Sequence, residues 1–294
     1  MLECVPNVSE GRDASVVERL ATVIRDAGAE LLDAHRDSDH HRSVFTFVGA
    51  RAVVARAALA LGGAAIRSVD LRRHAGVHPR VGALDVMPFV PLRGSSMHDA
   101  VDTAHAVGRG LAKEHDIPVF FYGDAALVPE RRELPSIRAG GLEGLQRRLV
   151  AGAWTADAGP TRLHPTAGAA IVGARRVLIA FNAVLTTPDV RVAARIARAI
   201  RESSGGLPAV RAIGVSLATR SLAQVSMNLL DYQRTPVSLV AERLETEALR
   251  AGTDVVEYEL VGCAPADAFP RPLARPIAGL RPSQLLDPAL FAGV

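Results

Sequence analysis

The chain has 294 residues, 49% of them hydrophobic and 22% charged, a composition typical of a globular protein large enough for two domains. A net charge of +3 and an aromatic content of 4% argue against a nucleic-acid-binding surface. Apolar runs are interrupted before they reach membrane-spanning length, and no signal peptide is expected. The two cysteines lie far apart in the sequence, so we expect a cytoplasmic protein without a disulfide framework.

Hydrophobic periodicity in the first half predicts alternating strands and helices. Helices are predicted near residues 14–27, 51–68 and 97–115, and strands near residues 2–6, 30–34, 43–49, 83–90 and 118–122. Either Ser95 or Ser96 is expected to cap the third helix. The first four strands and two helices follow the order βαββαβ, which is typical of ferredoxin-like domains.

The second half repeats this order. Strands are predicted near residues 177–182, 210–217, 222–229 and 255–261, and helices near residues 188–202 and 236–251. We therefore predict an α+β chain of two tandem ferredoxin-like (βαββαβ) subdomains, residues 1–168 and 169–294, with a ligand cleft between them. The connecting segment 151–175 is rich in Gly, Pro, Ala and Thr, so it is interpreted either as a ligand-binding loop or as an ordinary interdomain loop.

The densest group of chemically active side chains lies in residues 73–86, which include two His and two Arg before a predicted strand. Pro79 restricts the backbone at His78, and an imidazole titrates near neutral pH. His78 is therefore the candidate general acid/base, although these residues alone leave a structural role equally open.

Metal binding is the main alternative that the residues raise. The spacing of His74 and His78 matches a zinc-protease helix, but the Glu of that motif is missing, and Gly76 and Pro79 oppose a helix. A second cluster, in a predicted turn where local hydrogen bonds are expected, comprises His35, Asp37, Asp39, His40 and His41. No Gly-x-Ser-x-Gly or dinucleotide-binding glycine motif is present. We predict no metal site.

Six segments resemble the glutamate formiminotransferase family, which includes the N-terminal part of formiminotransferase-cyclodeaminase. They are residues 4–12, 74–86, 131–140, 159–168, 179–182 and 224–231, in register over most of the chain. The resemblance implies a dimeric transferase that moves a formimino group from N-formimino-L-glutamate to tetrahydrofolate, giving 5-formiminotetrahydrofolate and L-glutamate. Tetrahydrofolate is then a co-substrate in histidine catabolism and one-carbon metabolism, and no metal is required. Because the animal proteins carry a fused cyclodeaminase, a separate cyclodeaminase is expected here.

The resemblance also implies site residues. The family's acid/base His corresponds to His78. Its folate-binding loop corresponds to Gly159, Pro160, Thr161, Arg162, Leu163, His164, Pro165, Thr166, Ala167 and Gly168. Both substrates carry carboxylates, which arginine binds well. The candidate substrate-binding residues are Arg42, Arg80, Asp33, Asp85 and His41, with Arg138 as a further candidate. Asp85 could equally be a strand-end carboxylate that satisfies backbone groups.

Three positions depart from the family pattern. Ala158 and Ala167 stand where the animal proteins have aromatic residues, and His41 stands where the family usually has Asn. Aromatic stacking on the pterin is therefore expected to be absent at the two alanines. Two alternatives remain at this point: a related formimino or formyl transferase with another donor or acceptor, and a non-catalytic folate-binding relative.

Overall fold

The computed structural model describes residues 1–75 and 80–292, which divide into two compact units. Unit 1 comprises Met1–Arg176 together with the last residues of the chain, and unit 2 comprises Val177–Leu290. Both units combine helices with β-sheets, so the predicted α+β class is confirmed. Within the described residues, no helix combines the length and apolar composition needed to cross a bilayer.

Unit 1 alternates strands and helices in the predicted order and then continues beyond it. Its elements are β1 (Leu2–Cys4), β2 (Asn7–Val8), α1 (Ala14–Asp26), β3 (Glu30–Asp37), β4 (Arg42–Gly49), α2 (Arg51–Ser68), β5 (Leu84–Pro91), α3 (Met97–His115), β6 (Val119–Gly123), α4 (Leu134–Arg138), α5 (Gly141–Val150) and β7 (Ala170–Ala174). Ser96 is the cap of α3, where its hydroxyl accepts the Asp99 N–H and the Asp99 carboxylate accepts the Ser96 N–H. This reciprocal pair satisfies two backbone groups that the helix cannot satisfy itself.

The sheet of unit 1 is antiparallel at one end and parallel at the other. β1 and β2 lie between β4 and β5, and β3 pairs with the outer edge of β4. β7 lies between β5 and β6 and is parallel to both. Helices α1, α2 and α3 cover one face with a large apolar core. Side chains of α4 and α5 form a smaller core on the other face, against Val86, Phe120 and Ile171.

The position of β7 moves the boundary between the units. Residues 151–175 were expected to form a connecting segment, with the boundary between residues 168 and 169. Because β7 completes the parallel part of the first sheet, the first unit continues to Arg176. The predicted boundary lies one strand before the end of this compact unit.

Unit 2 contains the second βαββαβ series. Its elements are β8 (Ile179–Leu185), α6 (Val190–Ile200), β9 (Val210–Leu217), β10 (Leu222–Leu229), α7 (Val237–Arg250), β11 (Val255–Val261), β12 (Ala264–Pro265) and β13 (Leu285–Leu286). The four long strands form an antiparallel sheet in the order β11-β8-β10-β9, and the predicted β9–β10 hairpin is confirmed. α6 and α7 cover one face of this sheet.

The two units share their strand arrangement. In unit 2 the first and third strands, β8 and β10, are central. The second strand, β9, lies beside β10, and the fourth, β11, lies beside β8. In unit 1, β1 and β2 together take the place of the first strand, and β4 takes the place of the third. β3, beside β4, takes the place of the second strand, and β5, beside β1 and β2, takes the place of the fourth. The duplication predicted from the order of elements is therefore present in the strand pairing.

Candidate active site

The candidate catalytic His78 lies outside the described residues, together with the rest of residues 76–79. The residues on either side of this segment are described. A short 3-10 helix, Leu71–Arg73, leads to His74 and Ala75 on one side. Arg80 and Val81 lead into β5 on the other side.

His41 and His74 form the upstream flank. Their rings are stacked with centroids 4.0 Å apart and planes 10° apart. His74 Nε2 donates to the His41 carbonyl at 2.9 Å, and His41 Nδ1 lies 3.1 Å from the Ala75 carbonyl. His41 has a φ of 51°, a left-handed conformation that Asn adopts more readily than most residues. The departure from the family's Asn thus falls where the turn geometry favours Asn.

His74 is held in its neutral form. Burial lowers its pKa from 6.5 to about 4, outweighing the hydrogen bond to the His41 carbonyl. Because Nε2 donates that hydrogen bond, Nδ1 of the neutral ring carries a lone pair. Among the described residues, no hydrogen-bond partner reaches this buried Nδ1 atom. His74 therefore acts as a neutral packing partner of His41, in line with a supporting role.

Glu10 fixes the other side of His41. Its Oε1 atom accepts the N–H groups of Arg12 and Asp13 at 2.7 and 2.9 Å and lies 3.2 Å from His41 Nε2. Burial would raise the pKa of Glu10, but the two backbone hydrogen bonds and the adjacent His41 lower it overall. The carboxylate therefore stays ionised and holds His41 against His74.

Asp85 and Arg138 form the downstream flank. Asp85 is 2% exposed, and its Oδ1 atom accepts the Val81 N–H at 2.7 Å. Arg138 Nη2 donates to Asp85 Oδ2 in a largely buried ion pair. Of the two roles considered for Asp85, this geometry favours the backbone-satisfying carboxylate. Arg138, a candidate for a substrate carboxylate, is engaged with Asp85 instead.

The other predicted substrate-binding residues are distributed along the same part of unit 1. Arg80 is partly buried, and its Nη2 donates to the His74 carbonyl at 2.8 Å, so it links the two flanks. Arg42 begins β4 opposite Asp37. Asp33 is buried in β3, opposite Thr46. In the turn between β3 and β4, Asp37 accepts the His40 N–H at 2.8 Å, the local hydrogen bonding expected there.

The predicted folate-binding loop, residues 159–168, is joined to the flanks of the His78 segment by backbone hydrogen bonds. Leu71 N–H donates to Thr166 O at 2.8 Å, and Ala83 N–H donates to Ala167 O at 2.9 Å. A Cβ atom on Gly82 would lie 1.7 Å from Ala169 O, so only glycine permits this approach. The structure thus brings together two segments that are separated widely in the sequence.

The loop is folded around His164. His164 and Gly168 exchange two backbone hydrogen bonds of 2.8 and 3.0 Å, and His164 Nδ1 accepts the Ala167 N–H at 3.0 Å. Burial is the main cause that lowers the pKa of His164. Ala167 is fully buried. These hydrogen bonds of His164 therefore hold the loop in its folded conformation. The exposed side chain of Arg162 forms an ion pair with Asp116, with Nη2 and Oδ2 2.5 Å apart.

A second anchor of this loop was missed by sequence reasoning. Arg131 and Asp157 form an ion pair with side chains only 8% and 6% exposed, just before the loop begins. Asp157 Oδ2 accepts the Phe121 N–H at 2.8 Å, which ties the pair to β6. Two guanidinium groups lie over the ring of Trp154, that of Arg131 at 4.8 Å and that of Arg148 at 4.5 Å from the ring centroid. The family-like segment 131–140 was the signal available, but it had no assigned role.

Comparisons with known proteins show the family of the chain. Residues 1–175 match the formiminotransferase domain, N-terminal subdomain, and residues 180–272 match the formiminotransferase domain. A glutamate formimidoyltransferase of Streptococcus pyogenes serotype M1 is 41% identical over 92% of this chain and 90% of its own length. One of Thermoplasma acidophilum is 40% identical over 92% and 89%. The rat formimidoyltransferase-cyclodeaminase is 42% identical over 92% of this chain but only 51% of its own length. The chain therefore belongs to the formiminotransferase family.

Proposed function

We propose that this transferase moves the formimino group of N-formimino-L-glutamate to tetrahydrofolate, with 5-formiminotetrahydrofolate and L-glutamate as products. The observation that carries the proposal is the pairing of residues 71 and 83 with residues 166 and 167. This pairing joins the family's acid/base segment to its folate-binding loop. The relatives named glutamate formimidoyltransferase, at 40–41% identity, support the same donor.

The reaction requires two proton movements. The N5 amine of tetrahydrofolate attacks the amidine carbon and loses a proton as the tetrahedral adduct forms. The bond from that carbon to the glutamate nitrogen then breaks, and this nitrogen gains a proton as it leaves. A single base that takes the first proton and returns it to the leaving nitrogen balances both steps.

His78 is the residue that we assign to this proton transfer. Histidine is the side chain whose ordinary chemistry allows proton transfer in both directions near neutral pH. The described flanks support the assignment because hydrogen bonds hold both His74 and Val81, the second of them fully buried. Correct positioning of reacting groups contributes strongly to two-substrate reactions.

Residues 159–168 are proposed to bind the folate, and Arg42 and Arg80 to bind substrate carboxylates. His41, Asp33 and Asp85 line or support this part of unit 1 as described above. The ferredoxin-like interpretation of each unit belongs to the same proposal and is supported by the shared strand order. We further propose a cytoplasmic homodimer whose product is processed by a separate cyclodeaminase.

The direct test is a transfer assay with the purified chain, N-formimino-L-glutamate and tetrahydrofolate. We expect glutamate release that depends on tetrahydrofolate and equals the amount of 5-formiminotetrahydrofolate formed. The matched controls omit the folate or replace it with other amines. Glutamate release that needs another acceptor would favour a related one-carbon transferase, and folate binding without turnover would favour a non-catalytic relative.

A further inference from the structure

The family-like segment 4–12 contains three consecutive residues, Ser9, Glu10 and Gly11, that each contact a different part of the candidate site. They follow β2, which pairs with β4 on one side and with β5 on the other. β4 begins directly after His41, and β5 begins directly after the downstream flank. The segment therefore leaves the sheet between the two strands that join the flanks of residues 76–79.

Ser9 contacts the downstream flank. Its hydroxyl donates to the Gly82 carbonyl at 2.7 Å, and its N–H donates to the Ala83 carbonyl at 2.8 Å. Ser9 is 3% exposed and Gly82 is also buried, so water does not reach this contact. Because buried carbonyl groups depend on protein donors, the hydroxyl of Ser9 stabilises the chain directly before β5.

Glu10 contacts the upstream flank through His41. Its Oε1 atom lies 3.2 Å from His41 Nε2, and Nδ1 of the same ring lies 3.1 Å from the Ala75 carbonyl. The ring is also stacked on that of His74. Through one ring, Glu10 is therefore connected to both residues that end the described upstream flank.

Gly11 allows the backbone beside Glu10 to approach the turn between β3 and β4. A Cβ atom on Gly11 would lie 2.0 Å from the Asp37 carbonyl oxygen, so a larger residue would displace the segment from this turn. The Ser43 hydroxyl also donates to the Glu10 carbonyl. The backbone that carries the Glu10 carboxylate is therefore fixed relative to His41, which lies in the same turn.

The side chains of Ser9 and Glu10, here called the Ser9–Glu10 clamp, thus contact opposite flanks. One trans peptide bond keeps the two Cα atoms about 3.8 Å apart. The contact with Gly82 and the contact with His41 cannot move independently, because they are made by neighbouring residues. The clamp therefore fixes the spacing between the two described flanks.

We propose that Ser9 and Glu10 are positioning residues for the proton transfer assigned to His78. The inference rests on the proposed function. Neither residue is required to touch a substrate, since both act through the flanks that precede and follow residues 76–79. Misplacing a reacting group by about 1 Å can lower a rate about 10²-fold. Loosening the clamp is therefore expected to lower kcat and to leave both KM values nearly unchanged.

The first experiment compares Glu10→Gln with Glu10→Asp. Gln keeps the length of the side chain and an oxygen acceptor, whereas Asp keeps the charge but is one methylene shorter. We expect kcat within about threefold of the unaltered chain for Gln and at least about tenfold lower for Asp, with both KM values within about twofold. The control is Glu18→Gln in an exposed ion pair of α1. The reverse order of the two kcat values would assign the effect to charge and overturn the inference, and equal values contradict it too.

The second experiment asks whether the clamp acts through His78. Ser9→Ala removes the donor to Gly82 and is expected to lower kcat about tenfold, with Ser216→Ala at an exposed position of β9 as the control. In a His78→Ala background, Ser9→Ala should lower the residual rate less than about twofold, because the positioned group is gone. A full tenfold loss in that background overturns the inference. If Ser9→Ala does not fold, the comparison at Glu10 decides alone.

These measurements separate the inference from the proposed function. If the unaltered chain forms no 5-formiminotetrahydrofolate, or if His78→Ala retains near-normal turnover, the proposed function or its proton carrier fails, and the inference fails with it. If the unaltered chain is active and His78→Ala is not, but Ser9→Ala and Glu10→Asp keep a normal kcat, only the inference fails.

Discussion

Units 1 and 2 share a strand arrangement but differ in what is built on it. Unit 1 adds two parallel strands and the helices α3, α4 and α5, and its buried polar contacts include the ion pairs Asp85–Arg138 and Arg131–Asp157. Unit 2 keeps the four-strand arrangement, and its buried polar contacts include two neutral amides that share one carboxylate. The segment added to unit 1 thus supplies the arginines of two buried ion pairs beside loops, whereas these buried polar contacts of unit 2 lie among its own strands.

The sharpest test of this contrast is the removal of the proposed proton carrier from unit 1. His78→Ala is expected to reduce kcat by about 10²–10⁴-fold, the usual contribution of general acid–base catalysis. Folate binding, measured by calorimetry, should be nearly unchanged because the anchored loops remain. His98→Ala, at an exposed position of α3, is the matched control. Near-normal turnover of His78→Ala would exclude the proposed role.

The anchoring role is tested next by Asp85→Asn. Removing one partner of a buried ion pair leaves the other charge uncompensated, so we expect a loss of about 3 kcal/mol in the free energy of unfolding. Urea denaturation measures it, and Arg25→Met in an exposed ion pair should cost at most about 1 kcal/mol. The double variant Asp85→Asn with Arg138→Met, which keeps an acceptor for the Val81 N–H and leaves no buried charge, should recover much of the loss. An Asp85→Asn variant as stable as the control would show that the pair does not anchor the loop.

The buried carboxyl group of Glu3 in unit 1 is expected to lower the stability of the protein when it is ionised, in contrast to the two ion pairs. Burial raises the pKa of Glu3 from 4.5 to about 7, with Arg175 opposing the rise. The unfolded chain therefore loses this proton at a lower pH than the folded chain does, so stability falls as the pH rises from about 4.5 to 7. Glu3→Gln should abolish this fall and raise the free energy of unfolding at pH 8 by about 3 kcal/mol. An unchanged pH profile would show that Glu3 is not the group that titrates.

The smallest expected effect is the pH dependence of stability that comes from the neutral ring of His74 in the upstream flank. The pKa of His74 is about 4 in the folded chain and 6.5 ordinarily, so the unfolded chain binds this proton first as the pH falls. The contribution of neutral His74 to the free energy of unfolding should be fully present above about pH 6.5 and should decline as the pH falls toward 4. His74→Gln keeps a donor for the His41 carbonyl and removes the titration, so part of that decline should disappear. Denaturation midpoints at several pH values measure it, and a decline of full size in the variant contradicts the assignment.

The hydrophobic periodicity of the sequence was sufficient to predict the regular helices and strands. It was insufficient to predict β7 and α5, which unit 1 has in addition to the shared strand arrangement. The helix at residues 97–115 and the strands at 210–217, 222–229 and 255–261 agree with the structure because their periodicity is strong. β7 was missed since its five residues, rich in Ala and Gly, become a strand only through pairing with β5 and β6. α5 was also unassigned, although its amphipathic pattern is regular.

Prediction of the candidate site from the sequence has the same limit, because contacts between distant residues are not visible in local pattern. Residues 74–86 and 159–168 could be selected from their composition and family resemblance. The partners that fix them could not, because Arg138 lies 53 residues from Asp85 and Arg131 lies 26 residues from Asp157. Likewise, Gln224 stood in a recognised segment, but only the strand register shows that it shares Glu259 with Asn182.

The contact of Trp154 with two guanidinium groups has a spectroscopic consequence. It is the chain's single tryptophan, and it packs on the anchor of residues 159–168 in unit 1. Two of the three tyrosines, Tyr232 and Tyr258, are in unit 2. Tryptophan emission therefore reports the environment of that anchor in unit 1, whereas most of the tyrosine signal comes from unit 2. In a Tyr122→Phe variant the remaining tyrosines lie in unit 2 alone, and fluorescence can show whether the two halves unfold together.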